Sequence, residues 1–146
     1  MKLTQDNTKK QGMGRFQIEV PSILDNLRMV ESFIENARDS LEFTDEIYGN
    51  IVISLTEAVN NAIVHGNGSD KNKVVKIALE VDELGLKFII EDEGEGFDHE
   101  NLPDPTAPEN IEKVTGRGIF LMKHLADEVG FSDSGNIVEL TFYSNA

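Results

Sequence analysis

The run Phe16-Gln17-Ile18-Glu19-Val20 alternates apolar and polar positions and then meets Pro21, the pattern of a half-buried strand. Beyond it the period lengthens. Leu24, Leu27, Val30, Phe33, Ile34 and Ala37 recur at helical spacing, which predicts a helix capped by Ser22 and reaching about Leu41. Thr44, three residues before Ile47 and followed by Asp45 and Glu46, predicts the start of a second helix that ends at Gly66. Val74 to Val81 and Leu86 to Asp92 read as strands joined by Asp82-Glu83-Leu84-Gly85, hence a hairpin. From Glu93 to Thr115 the periodicity stops, and Pro103, Pro105 and Pro108 fall there among Asp, Glu and Asn, which predicts a long functional loop. Ile119, Leu121, Met122 and Leu125 then predict a helix from Gly116. Val129 to Phe131 and Ile137 to Tyr143 predict a closing hairpin that turns at Ser134-Gly135-Asn136.

Strands that mostly arrive as hairpins, with helices grouped between them, imply an α+β domain with helices on one face of a largely antiparallel sheet. A length of 146 residues suits one such domain, residues 15–146, after a polar and flexible start over residues 1–14. A net charge of −14 repels phosphate backbones and anionic headgroups, which disfavours nucleic acid and membrane surfaces as partners. The absence of cysteine removes disulfides, thiolate metal sites and thiol nucleophiles. No signal-peptide core is visible in the first twenty residues, and nowhere do about eighteen apolar residues run together, so a cytoplasmic protein is expected.

Three segments carry candidate chemistry. Glu57 and Asn61 lie four residues apart on the second helix and project in one direction, so a carboxylate base can stand beside an amide oxygen able to ligate a hard cation. Taken alone, such a pair more often faces solvent. Asp92-Glu93-Gly94-Glu95-Gly96 follows a strand; alternate glycines let a flat ligand approach, and Asp92 offers an acceptor to an exocyclic amino group such as adenine's. An ordinary glycine-rich turn is the plain alternative. Thr115-Gly116-Arg117-Gly118 opens a helix, where free backbone N–H groups and the helix dipole suit a phosphate. Neither a Walker A loop nor the Rossmann glycine spacing occurs.

Together the segments resemble the N, G1 and G2 boxes of the GHKL ATPases, the superfamily of gyrase, a heat-shock chaperone, histidine kinases and a mismatch-repair protein. The resemblance runs from about Phe16 to Tyr143. Glu57-Ala58-Val59-Asn60-Asn61-Ala62-Ile63-Val64-His65-Gly66 and Gly116-Arg117-Gly118-Ile119-Phe120-Leu121-Met122 are most similar to the anti-sigma-factor serine kinases. The fold implied is a two-layer α/β sandwich, the Bergerat fold, with a mostly antiparallel mixed sheet and an ATP lid at about 97–115. The resemblance implies ATP and Mg²⁺ as cofactors, with Glu57 as base, Asn61 on Mg²⁺ and Asp92 on adenine. It further implies that Gly94 and Gly96 shape the pocket, that Thr115, Gly116, Arg117 and Gly118 lie along the phosphates, and that Arg28 touches a partner. Where some members carry Arg shortly before the G2 glycines, this chain has Lys113-Val114-Thr115.

Within that superfamily, histidine kinases usually place Asn four residues before the metal-binding Asn, whereas a carboxylate there serves when a hydroxyl must lose a proton. The chain shows no preceding phospho-acceptor helices and no transducer domain. The expected function is therefore serine-protein kinase and anti-sigma regulator, phosphorylating a serine of a STAS-type antagonist, with a sigma factor as competing partner. Homodimerisation is implied by the same likeness. The alternatives are a nucleotide-gated binding module that transfers nothing and a stand-alone ATP hydrolase. His65 reads as a helix-end residue favoured by the dipole, and His99 and His124 lack metal-ligand spacing. The phenylalanines read as core.

Overall fold

The computed structural model describes residues 4–5, 14–41, 43–94, 114–132 and 134–143. Strands β1 (Thr4–Gln5), β2 (Gly14–Pro21), β3 (Val74–Val81), β4 (Gly85–Glu91), β5 (Glu128–Phe131) and β6 (Ile137–Tyr143) form one sheet in the order β1-β2-β3-β4-β6-β5. All five pairings are antiparallel, so the mixed component allowed by the family likeness is not found among the described strands. Helices α1 (Leu27–Ser40), α2 (Asp45–Asn61) and α3 (Val114–Leu125) form the second layer. The expected α+β sandwich is observed. Two residues of the polar start pair with β2, Thr4 opposite Gln17 and Gln5 opposite Phe16.

The core follows from the two periods. Phe16, Ile18 and Val20 of β2 point to the helices, register with Leu79, Ile77 and Val75 of β3, and are buried with them. Phe88 and Ile90 continue that face into β4, and Leu140 and Val138 into β6. Opposite them pack Val30, Phe33, Ile34 and Ala37 from α1, Ile51, Leu55, Ala58 and Val59 from α2, and Ile119 and Met122 from α3. At about 25 cal/mol per Å² of apolar surface removed from water, this layer is what holds the helices down. The other sheet face is polar. Its ion pairs, Arg15 with Glu80 at 3.9 Å and Lys87 with Glu139 at 3.5 Å, are half exposed and contribute little.

Local chemistry sets most boundaries. The Thr44 hydroxyl accepts from the Ile47 N–H at 3.2 Å and starts α2, a cap worth about 0.5–2 kcal/mol. Asp82 closes the β3–β4 turn by accepting from the N–H groups of Leu84 at 2.8 Å and Gly85 at 3.1 Å. Gly135, at φ 80°, turns the last hairpin.

Four expectations need correction. Ser22 does not cap α1: a 3₁₀ turn, Leu24–Asn26, intervenes, and the buried Ser22 hydroxyl instead donates to the carbonyl of Lys73 at 2.8 Å. Leu24 therefore falls off the apolar stripe and is exposed. The third helix begins at Val114 rather than Gly116, which puts both glycines inside its first turns. Phe120, finally, is exposed and stacks on His124 rather than entering the core.

Candidate functional site

α2 carries the first two side chains. Asn61 ends it, 7% exposed, and neither its amide oxygen nor its nitrogen has a hydrogen-bond partner among the described residues. Burying an amide unpaired costs about 1–3 kcal/mol, so a native structure keeps one only where something else answers it. Glu57 lies one turn earlier and is half-buried. α3 packs directly across this pair at Gly118, where an added Cβ would stand 2.8 Å from Asn61 Nδ2 and 3.1 Å from Glu57 Oε2. Glu57, Asn61 and Gly118 are therefore brought together. Gly118 is the fifth residue of α3, beyond the four N–H groups a helix leaves free, so its contribution in this structure is close approach.

The chain then leaves α2 through a wider turn. Ala62–Gly66 is a π turn closed by the Asn67 N–H donating to the carbonyl of Ala62 at 2.8 Å, and such turns recur at functional sites because they re-aim the residues beyond them. Here Gly66 is set against the Asp92 carboxylate so closely that a Cβ on Gly66 would overlap it. Gly94 is set against the Gly66 carbonyl in the same way. The two glycines let the end of α2 and the turn after β4 touch backbone to backbone.

Asp92, 8% exposed, is held from several sides. Its N–H donates to the carbonyl of Asn136 at 3.0 Å, and one carboxylate oxygen accepts from the N–H of Gly94 at 2.8 Å. Burial pushes its pKa above the ordinary carboxylate value of 3.8, the Gly94 bond opposes that rise, and the neighbouring charge of Glu91 adds to it. Asn61, Gly66 and Asp92 line one narrow cleft, floored by Ala62, Ile90, Ile119, Met122 and Val138. Its apolar walls and few fixed polar groups match the chemistry of a planar heterocycle, which would have to widen the cleft from its present volume of about 20 Å³.

Of the remaining expected residues, Gly96 and the span 97–113 lie outside the described residues. Thr115, Gly116 and Arg117 fall in the first turn of α3, where free N–H groups are available. Arg28 is exposed on α1 and is not among the residues lining the cleft. A broader groove over the free sheet face, lined by Lys87, Glu128, Glu139 and Thr141 among others, holds none of the expected site residues. Sequence reasoning passed over Gly66 and Asn67. Gly66 read only as a helix stop and Asn67 received no assignment, and no spacing rule links either to Asp92.

The orphaned Asn61 amide is the test of fit for a magnesium ion. A buried neutral oxygen with an unused lone pair is a hard-cation ligand, and Mg²⁺ typically takes one or two protein oxygens and completes its shell with water and phosphates. Among the described residues no group of three or more His, Cys, Asp or Glu is placed to hold a metal ion. The residues fit. No helix among the described residues is long and apolar enough to cross a membrane.

Comparison with known proteins agrees with this fold. A family model described as a histidine kinase-like ATPase domain matches residues 20–142. The serine-protein kinase RsbW of Bacillus subtilis (strain 168) is 29% identical over 136 residues, covering 88% of this chain and 85% of the relative. A serine-protein kinase RsbW of Staphylococcus aureus (strain JH9) is 34% identical over 99 residues, 62% of each chain.

Proposed function

Since the chain belongs to the histidine kinase-like ATPase domain family, we propose that it is a cytoplasmic serine-protein kinase that transfers the γ-phosphoryl group of Mg-ATP to a serine of a STAS-type antagonist, with a sigma factor as the competing partner. One observation carries the choice of acceptor: Glu57 and Asn61 share a helix face, with Gly118 against both. A carboxylate beside the metal-binding amide is useful when the attacking group is a hydroxyl that must lose its proton. The relatives' names point the same way.

In this reading Asp92 accepts from the adenine amino group, and Gly66 and Gly94 admit the base. Asn61 contributes an oxygen to Mg²⁺, which when bound shields the triphosphate from the acidic protein. The free N–H groups at the start of α3 hold phosphate oxygens. Glu57 takes the serine proton as the serine oxygen bonds to the γ-phosphorus and the bond to the β-bridging oxygen breaks, releasing ADP. Single-turnover transfer from labelled Mg-ATP to a STAS protein tests the proposal, and phosphoserine at a defined site is the expected product. Tight nucleotide and partner binding without transfer would replace it with a binding module. Steady phosphate release by the chain alone would make the protein a hydrolase.

The Asp92 assignment predicts an affinity change with a sign in pH. A charge-assisted hydrogen bond is worth about 1.5–3 kcal/mol, so Asp92→Asn should weaken ATP about tenfold to a hundredfold. Because burial raises the Asp92 pKa in the folded chain, the fold binds more protons than the unfolded chain just above pH 3.8. Its charge therefore costs stability, and the cost grows as pH rises through that window. At neutral pH the nucleotide-free Asp92→Asn protein should melt higher than the parent while binding ATP worse. ATP affinity of the parent should fall as pH drops towards the raised pKa. Equal melting temperatures and equal affinities in calorimetry would count against both the buried charge and its role.

A further inference from the structure

Asn67 is 3% exposed and hydrogen-bonded on every side. Its Oδ1 accepts from the Glu93 N–H at 2.7 Å, and its Nδ2 donates to Ser22 Oγ at 2.8 Å and to the Val74 carbonyl at 3.1 Å. Its own N–H closes the π turn on Ala62. Glu93 answers by accepting from the Val74 N–H at 2.6 Å. One side chain thus joins the end of α2, the start of β3 and the turn that carries Asp92. On the far side, Asn136 holds the Asp92 backbone, accepting its N–H and donating to its carbonyl at 3.4 Å. The Asp92–Glu93 backbone is held between two asparagines, and the Asn67 bond to the Glu93 N–H is the shortest of these contacts.

We propose that Asn67 is a positioning residue for purine recognition: by accepting the Glu93 N–H it locks the Asp92–Gly94 turn at the end of α2, so that discrimination for the 6-amino group depends on Asn67 although it need not touch the base. This rests on the reading of Asp92 as the adenine acceptor. Buried polar groups that are fully paired hold one geometry, and a misplaced acceptor forfeits its hydrogen bond. Replacing the side-chain oxygen leaves the Glu93 N–H without its partner and frees the turn to shift. The Gly94 N–H, which the Asp92 carboxylate accepts at 2.8 Å, belongs to the same turn and moves with it.

The readout is the ratio of affinities for ATP and for purine riboside triphosphate, which has hydrogen in place of the 6-amino group. In calorimetric titrations the parent should favour ATP about tenfold or more. Asn67→Ser should bring the ratio close to one with little change for purine riboside triphosphate. Asn67→Asp, which keeps an acceptor for Glu93, should retain most of it. Ser22→Ala removes the outer link of the same network and serves as the stability control, with the ratio intact. A retained ratio in Asn67→Ser, or equal loss in Ser22→Ala, overturns the proposal. A parent that does not discriminate, or an Asp92→Asn protein that still does, instead fails the Asp92 reading and takes the positioning role with it. Should Asn67→Ser not fold, the parent decides: its Glu93 amide should exchange as slowly as the β4 amides, and fast exchange overturns the grip.

Discussion

Alanine at position 57 is expected to leave Mg-ATP affinity within a few fold of the parent while phosphoserine formation falls by about 10²–10⁴-fold, the usual worth of a positioned general base. The asymmetry follows from placement. Asn61 is the buried amide lining the cleft, whereas Glu57 stands one turn away, half-buried, outside the residues that line it. Losing Asn61 should therefore lower both affinity and transfer, and losing Glu57 only transfer. Glu57→Gln is the sharper variant, since it keeps the shape beneath Gly118 and removes only the basicity. Single-turnover transfer beside calorimetric titration reads both quantities. A transfer rate unchanged in Glu57→Gln removes the base assignment, and a matched loss of affinity would give Glu57 a binding role instead.

Both outcomes concern residues that local pattern could find. Glu57 and Asn61 share a face because of helical period, and the Thr44 cap that begins their helix is chemistry within three residues. Hairpins were legible for the same reason: Asp82 bonds two and three residues ahead. What stayed hidden is long-range. Ser22 has the sequence signature of a cap, yet its hydroxyl is claimed by Lys73 and Asn67, 51 and 45 residues away, and the helix starts later. Leu24 fits the apolar period and is exposed because the intervening 3₁₀ turn breaks that period. Asn67 looks like loop punctuation, and only the fold brings Glu93 to it. At Ser22 and Asn67 a polar group had local and distant partners to choose between, and burial favoured the distant one.

Glycines make the same point and supply the second large effect. A Cβ on Gly49, Gly66 or Gly94 would meet different surroundings, which no local pattern states. At Gly49, inside α2, nothing lies within 4 Å, so Gly49→Ala should stabilise the protein by up to about 1 kcal/mol through helix propensity alone. At Gly66 the obstacle is the Asp92 carboxylate, a side chain that can swing aside at the cost of its aim. At Gly94 the obstacle is the Gly66 carbonyl, which belongs to the π turn and cannot yield without loosening the end of α2. Gly94→Ala should thus be the worst of the three. Overpacking of this kind costs about 1–3 kcal/mol. Because the strain falls on the contact that places Asp92, ATP affinity should drop as well, by about tenfold to a hundredfold if the adenine hydrogen bond is lost. Gly66→Ala should weaken ATP comparably with a smaller loss of stability. Urea midpoints and calorimetric titrations across the three variants test the order: Gly49→Ala above the parent, Gly66→Ala below it, Gly94→Ala lowest. A Gly94→Ala protein that unfolds and binds like the parent would mean that the turn after β4 does not meet Gly66 backbone to backbone, and the cleft would then lack the close approach its planar ligand requires.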